Sequence, residues 1–151
     1  MRFTATARVS ASPPDVFREL TDHEGMVGLP GVTAARLLRA GAPERNGVGA
    51  IREVRVRGLR FVEEIVGYEP HRRIDYRIRE CTLPLRHEFG RIDLDAVEGG
   101  TRAHWESELS VPGVGWLLGP LMRRMLPSGF EELLAGVEAR IHARAAERRG
   151  R

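Results

Sequence analysis

The chain has 151 residues, of which 42% are hydrophobic and 30% charged. That supports one folded domain with its own core and excludes a disordered chain. All 24 basic residues are Arg, which excludes Lys Schiff-base chemistry and a Lys-dependent phosphate loop. The net charge is +3, but residues 140–151 alone carry +4, so the body is near neutral and no nucleic-acid partner is expected.

No apolar run reaches the length of a membrane span, and the opening MRFTATARVS lacks a signal-peptide core, so a cytoplasmic protein without stable membrane insertion is expected. The single Cys81 excludes an intramolecular disulfide and a Cys-based zinc cage.

Residues 2–10 alternate, with Phe3, Ala5, Ala7 and Val9 on one side, which predicts a strand with one buried face. Ser12-Pro13-Pro14-Asp15 then reads as a helix start: a capping hydroxyl, a Pro suited to the first turn and an acid at the positive helix end. Thr21-x-x-Glu24 reads as a capping box for a second short helix running to about Val27. From 32 to 110, turn signals at 41–49, 57–58, 69–72, 81–84 and 98–100 predict six further strands in an antiparallel meander. The period then changes. Ser128 to Glu131 reads as a capping box, and Phe130, Leu133, Leu134, Val137 and Ile141 recur at helical spacing, which predicts a long helix over 129–147. Residues 114–126 also have helical character but contain Pro120, and Pro127 follows them.

The expected fold class is therefore α+β: seven antiparallel strands curved around a long C-terminal helix, with two short helices after the first strand. The expected division is a domain over 1–147 and an Arg-rich tail over 148–151. The stretch from Arg140 to Arg151 reads as a solvated helix end placed favourably against the helix dipole.

The turns also predict register. A two-residue turn at Arg57-Gly58 sets Val56 opposite Leu59, Val54 opposite Phe61 and Arg52 opposite Glu63, all on one apolar face that Ile65 extends. Glu53 and Glu64 then point to water. The next hairpin sets Ile65 opposite Tyr76 and Glu63 opposite Ile78. A turn at Gly99-Gly100 sets Leu94 opposite Trp105 and Ile92 opposite Ser107 on the inner face, with Arg91–Glu108, Asp93–Glu106 and Asp95–His104 on the outer face. Residues 85–89 allow two readings: either Leu85, His87 and Phe89 point inward with a bulge near Gly90, or Glu88 does.

The opening Ala11-Ser12-Pro13-Pro14-Asp15-Val16-Phe17, Asp22 after the first helix and Gly47-Val48-Gly49-Ala50-Ile51-Arg52 combine with the Glu63-x-Ile65 strand and Gly100-Thr101 leading to Trp105. In that order they resemble the START-like (SRPBCC) superfamily, the helix-grip fold, and most of all its polyketide cyclase/dehydrase and lipid-transport branch. The resemblance covers nearly the whole chain. It implies a deep cavity for a hydrophobic or aromatic small molecule, and it implies no metal or other cofactor.

With that cavity placed between sheet and helix, the inner-face residues become its expected lining: Val54, Phe61, Ile65, Tyr76, Leu94, Trp105, Leu134 and Val137. Arg52 could bind a ligand carbonyl or carboxylate with Glu63 orienting it, or the two could form a structural ion pair. Tyr76, His87 and Glu88 are the candidates for acid–base chemistry in a cyclase or dehydratase acting without metal. Asp93, Asp95, His104 and Glu106 share an outer face and read as a solvated polar surface rather than a cation site. The apolar and basic segment around Trp116, Leu117, Leu121 and Met125 reads as a lid or as packing beside the long helix, ahead of contact with a membrane surface or an acidic carrier protein; a ligand-switched interaction module is a further reading. A homodimer is left open.

Overall fold

The computed structural model describes residues 1–151. Strand β1 (Arg2–Val9) leads to helix α1 (Pro13–Thr21) and a single 3-10 turn over Glu24–Met26. Strands β2 (Val32–Arg39), β3 (Ile51–Val56), β4 (Leu59–Glu69), β5 (Arg73–Cys81), β6 (Arg86–Val97) and β7 (Gly100–Ser110) follow, and then helix α2 (Gly115–Arg149). The seven strands form one antiparallel sheet in the order β1-β7-β6-β5-β4-β3-β2, the sheet and long helix expected from the sequence.

The β3–β4 register is the expected one: Arg52 opposes Glu63, Val54 opposes Phe61 and Val56 opposes Leu59. In β4–β5, Ile65 opposes Tyr76 and Glu63 opposes Ile78, again as expected. The β6–β7 hairpin differs. It turns at Glu98-Gly99, with Gly99 at φ 78°, so Ile92 opposes Trp105, Leu94 opposes Ala103 and Asp93 opposes His104. The shift moves each pairing by an even number of residues, so the side chains from Arg91 to Glu108 keep their expected faces.

Two helix starts are absent. The Thr21 hydroxyl donates back to the Phe17 carbonyl (2.8 Å) inside α1, and Asp22 Oδ1 accepts from the Gly25 N–H (3.2 Å). A 3-10 turn replaces the second short helix. Ser128 likewise donates to the Arg124 carbonyl (3.0 Å) in mid-helix, and α2 runs unbroken from Gly115 through Pro120 and Pro127. Each Pro frees one carbonyl four residues back, on Trp116 and Arg123, and both of those residues are exposed, so water can serve them.

The core lies between the inner face of β1, β5, β6 and β7 and the apolar sides of α1 and α2. Ile74, Ile92, Leu94, Ala103 and Trp105 pack there with Phe17, Phe130, Leu134, Val137 and Ile141. The indole of Trp105 stacks on Phe130 at 5.5 Å. Helix α2 crosses the Leu29-Pro30 loop at Gly136, where any Cβ would overlap the Pro30 ring.

The two ends of α2 are fixed differently. Glu19 of α1 is fully buried and is met by Arg144 and by Arg140, the latter at 3.6 Å. Arg140 also donates to the carbonyls of Gly25 and Val27. These two Arg therefore clamp α1 to α2 rather than belonging to a solvated end. In the N-terminal half of α2, Gly119 lies against the Met1 sulfur and Glu132 pairs with Arg57 at the β3–β4 turn. Thirteen residues of helix span about 20 Å, so this half crosses the open end of the curved sheet.

The outer face is a lattice of Arg–carboxylate pairs. Glu53 takes Arg36 and Arg60, Glu64 takes Arg39 and Arg79, Asp75 takes Arg91, Asp93 takes Arg73, and Glu106 takes Arg2. Asp95 pairs with Arg102, and His104 shares a 2.7 Å hydrogen bond with Thr6. Glu53 and Glu64 thus point outward as expected, but Arg side chains cover them.

Candidate functional site

The inner face changes character along the sheet. On β5–β7 it is closed by α1 and α2. On β2–β5, Leu37, Val56, Phe61, Glu63 and Ile78 are only half-buried. This half-open apolar surface is bordered by two polar groupings and by one apolar stripe of α2.

The first is centred on Arg52. Its Nε and Nη2 both reach Glu63 Oε2 at 2.7 Å. Its Nη1 donates to His23 Nδ1 (3.1 Å) and lies 3.3 Å from the Met26 sulfur. His23 Nε2 donates to the Asn46 carbonyl (2.9 Å). One neighbour can only donate and the other can only accept, so His23 is fixed as the neutral Nε2–H tautomer. Burial, reinforced by the Arg52 charge, pulls its pKa down to about 4.

The second grouping is a hydrogen-bond chain. The Ile78 N–H donates to His87 Nδ1 (2.9 Å), which leaves His87 Nε2–H to donate to Ser107 Oγ (3.0 Å). Beside it, Trp105 Nε1–H donates to Tyr76 Oη at 2.9 Å. Tyr76 also stacks on His87 at 5.4 Å. Burial pushes the Tyr76 pKa up to about 12, with the Glu63 charge adding to it, and burial lowers that of His87.

Local sequence explains both placements. Residue 90 is Gly, and any Cβ there would overlap the Tyr76 ring, so Tyr76 can lie across its own cross-strand partner. The β6 bulge falls at Glu88, since His87 opposes Leu109 and Phe89 opposes Glu108. His87 therefore points inward and is buried, and Glu88 is exposed. Phe89 faces outward beneath Arg2, at 5.6 Å, against the expectation that it would share the face of His87. The extra residue reverses the alternation between them.

The third border is apolar. Leu118, Met122 and Leu126, on the inner side of the N-terminal half of α2, pack against the core from above. Val54, Ile65, Leu94, Trp105, Leu134 and Val137 lie deeper and are packed core, while Phe61 stands at the half-open edge. Arg52, Glu63, Tyr76 and His87 share the inner face. Glu88 stands apart from them.

His23 and Ser107 were not singled out in the sequence. Ser107 was legible as inward by its position opposite β6, but nothing marked it as the hydrogen-bond partner of His87. His23 sits in an irregular segment whose partners, Asn46 and Arg52, are distant in the chain.

Comparison with known proteins agrees with the fold. The family described as polyketide cyclase/dehydrase and lipid transport matches over residues 1–142. No curated protein matches the sequence. Protein TTHA0849 of Thermus thermophilus is 23% identical, with a TM-score of 0.73 over 95% of this chain and 98% of that one. A START superfamily protein of Mycobacterium smegmatis is 14% identical, with a TM-score of 0.73 over 94% and 97%. The di-domain ARO/CYC protein BexL of the BE-7585A biosynthetic pathway is 23% identical, with a TM-score of 0.69 over 92% of this chain and 49% of BexL. With a helix-grip architecture and a family match running from Met1 to the last turns of α2, this chain belongs to the polyketide cyclase/dehydrase and lipid transport family.

Proposed function

We propose that the protein binds an apolar small molecule carrying one acceptor oxygen. The apolar body lies on the half-open inner face of β3–β5, along Phe61 and Ile78 and beneath Leu118, Met122 and Leu126. The oxygen meets the Tyr76 hydroxyl.

One observation carries this reading: the direction of the hydrogen bonds. The Ile78 N–H donates to His87 and His87 to Ser107, while Trp105 donates to the Tyr76 hydroxyl oxygen. Tyr76 Oη is thereby an acceptor on the protein side, and its own O–H is left to donate. A donor facing a half-open apolar surface fits a carbonyl, ether or hydroxyl oxygen. Arg52 and Glu63 neutralise each other and frame the polar end, because most of the Arg52 donors are already engaged by Glu63 and His23.

The test is native mass spectrometry of the purified protein, with mass analysis of an organic extract. The expected result is a co-purifying apolar, oxygen-containing molecule whose affinity falls about tenfold in Tyr76→Phe, the loss of one hydrogen bond to a buried group. No bound molecule, together with no displaceable binding of an apolar fluorescent probe such as anilinonaphthalene sulfonate, overturns the reading.

A second reading, ring closure or dehydration of a polyketide, draws on the same Tyr76 donor, which would polarise a ketone oxygen. His87 is a poor general base for it as placed, because taking a proton at Nδ1 breaks the bond from the Ile78 N–H. Turnover of a poly-β-ketone by the wild type, lost in Tyr76→Phe, would favour this reading over simple binding.

A further inference from the structure

The N-terminal half of α2 has two apolar sides. Leu118, Met122 and Leu126 face the core. Leu117, Leu121 and Met125 recur at helical spacing next to that stripe, about 100° around the helix, and are exposed, and Trp116, on the far side of Leu117, is 81% exposed. A surface helix of a folded domain normally carries one apolar stripe. Arg123 and Arg124 are exposed in the same turns, and no acidic residue occurs between Val111 and Phe130.

We propose that this face docks on an anionic lipid bilayer, with Trp116, Leu117, Leu121 and Met125 at the boundary of headgroups and acyl chains and Arg123 and Arg124 against lipid phosphates. Charge complementarity selects the occupant. A second copy packed across a two-fold axis would bring Arg123 and Arg124 toward their own images, with no carboxylate in the segment to offset them. An anionic bilayer supplies counter-charge all along the helix. Its fluid boundary accommodates large flexible side chains without a shaped socket, and Trp is favoured at that depth. The attachment is peripheral, since no helix is long and apolar enough to cross a membrane. The face lies over the open end of the sheet, so an apolar molecule leaving the cleft would meet lipid instead of water. That last consequence rests on the binding reading above; the docking does not.

The test is co-sedimentation of the ligand-free protein with vesicles of phosphatidylcholine alone, or with about 30 mol% phosphatidylglycerol, a content that mimics an anionic leaflet. The protein is expected to sediment with the anionic vesicles, less so at high salt, and its Trp emission to shift to the blue. Trp116→Phe should still sediment but lose the shift, since Trp105 is buried in the core. The double variant Leu117→Ser/Leu121→Ser should lose about tenfold or more in partition, and Arg123→Gln and Arg124→Gln about fivefold each on anionic vesicles. All four positions are exposed, so thermal melts by circular dichroism should match the wild type and exclude misfolding. Failure to sediment with anionic vesicles, or sedimentation that ignores the Leu substitutions, overturns the proposal. So does a concentration-dependent dimer that Leu117→Ser disperses, which assigns the face to a second copy. No ligand enters this assay, so its failure and that of the binding reading are separable.

Discussion

At neutral pH His23 is uncharged and holds Arg52 from one side while Glu63 holds it from the other. Its folded pKa, about 4, lies below the ordinary 6.5. The unfolded chain therefore takes up the proton first as pH falls. The His23 contribution to stability is full above pH 6.5 and declines toward pH 4, by up to about 3 kcal/mol. Urea melts across that range should show the decline, and His23→Gln should flatten it.

Arg52 and Glu63 make a second prediction. Glu63→Gln leaves a largely buried guanidinium with a weakened partner and should cost about 2–3 kcal/mol in the same melts, below the value for a fully buried pair. An outward direction alone would make Glu64→Gln near neutral. The structure puts Arg39 and Arg79 on that carboxylate, so a loss of about 1 kcal/mol is expected instead. A third prediction concerns Gly90. Gly90→Ala forces the Tyr76 ring off its strand and should separate it from Trp105, costing about 1–3 kcal/mol. The near-ultraviolet circular dichroism of Trp105 would report it.

Among the elements, strands were more legible than helices. Alternation gave the faces of β1, β3 and β4, and the Arg57-Gly58 turn gave the register of Arg52 and Glu63. In β6–β7 the choice of turn between two adjacent Gly residues moved the pairing but not the faces. The Glu88 bulge could not be placed, because either alternation of residues 85–89 buries something plausible. The long helix was read too short because Pro120, Pro127 and Ser128 each resemble a boundary. A boundary signal is local, whereas the helix is held by tertiary contacts at Phe130, Leu134 and the Glu132–Arg57 pair. Much of the site's frame was therefore readable, but its polar wiring was not: His23–Arg52 and His87–Ser107 depend on side chains meeting across distant segments. At this scale Gly136→Ala should push α2 away from Pro30 and lower stability by about 1–3 kcal/mol, measured by thermal melt.

Across the whole molecule, α2 behaves as two lengths of one rod. From Phe130 onward it is anchored by the Trp105 stack, by Leu134, Val137 and Ile141, and by the clamp of Arg140 and Arg144 on Glu19. Before Phe130 it has half-buried apolar contacts and two missing backbone donors. Amides of 115–126 should therefore exchange with deuterium well before those of 130–145, and a bound ligand should slow the first group selectively. The unbroken helical ladder also sets how such a roof can move. The stretch from Trp116 to Phe130 is a lever arm of about 21 Å pivoting on an aromatic stack. A tilt of about 10° at that pivot carries its tip about 4 Å, close to the width of a hydrocarbon chain. The cleft can thus be widened by leverage, with no turn of the helix unwound.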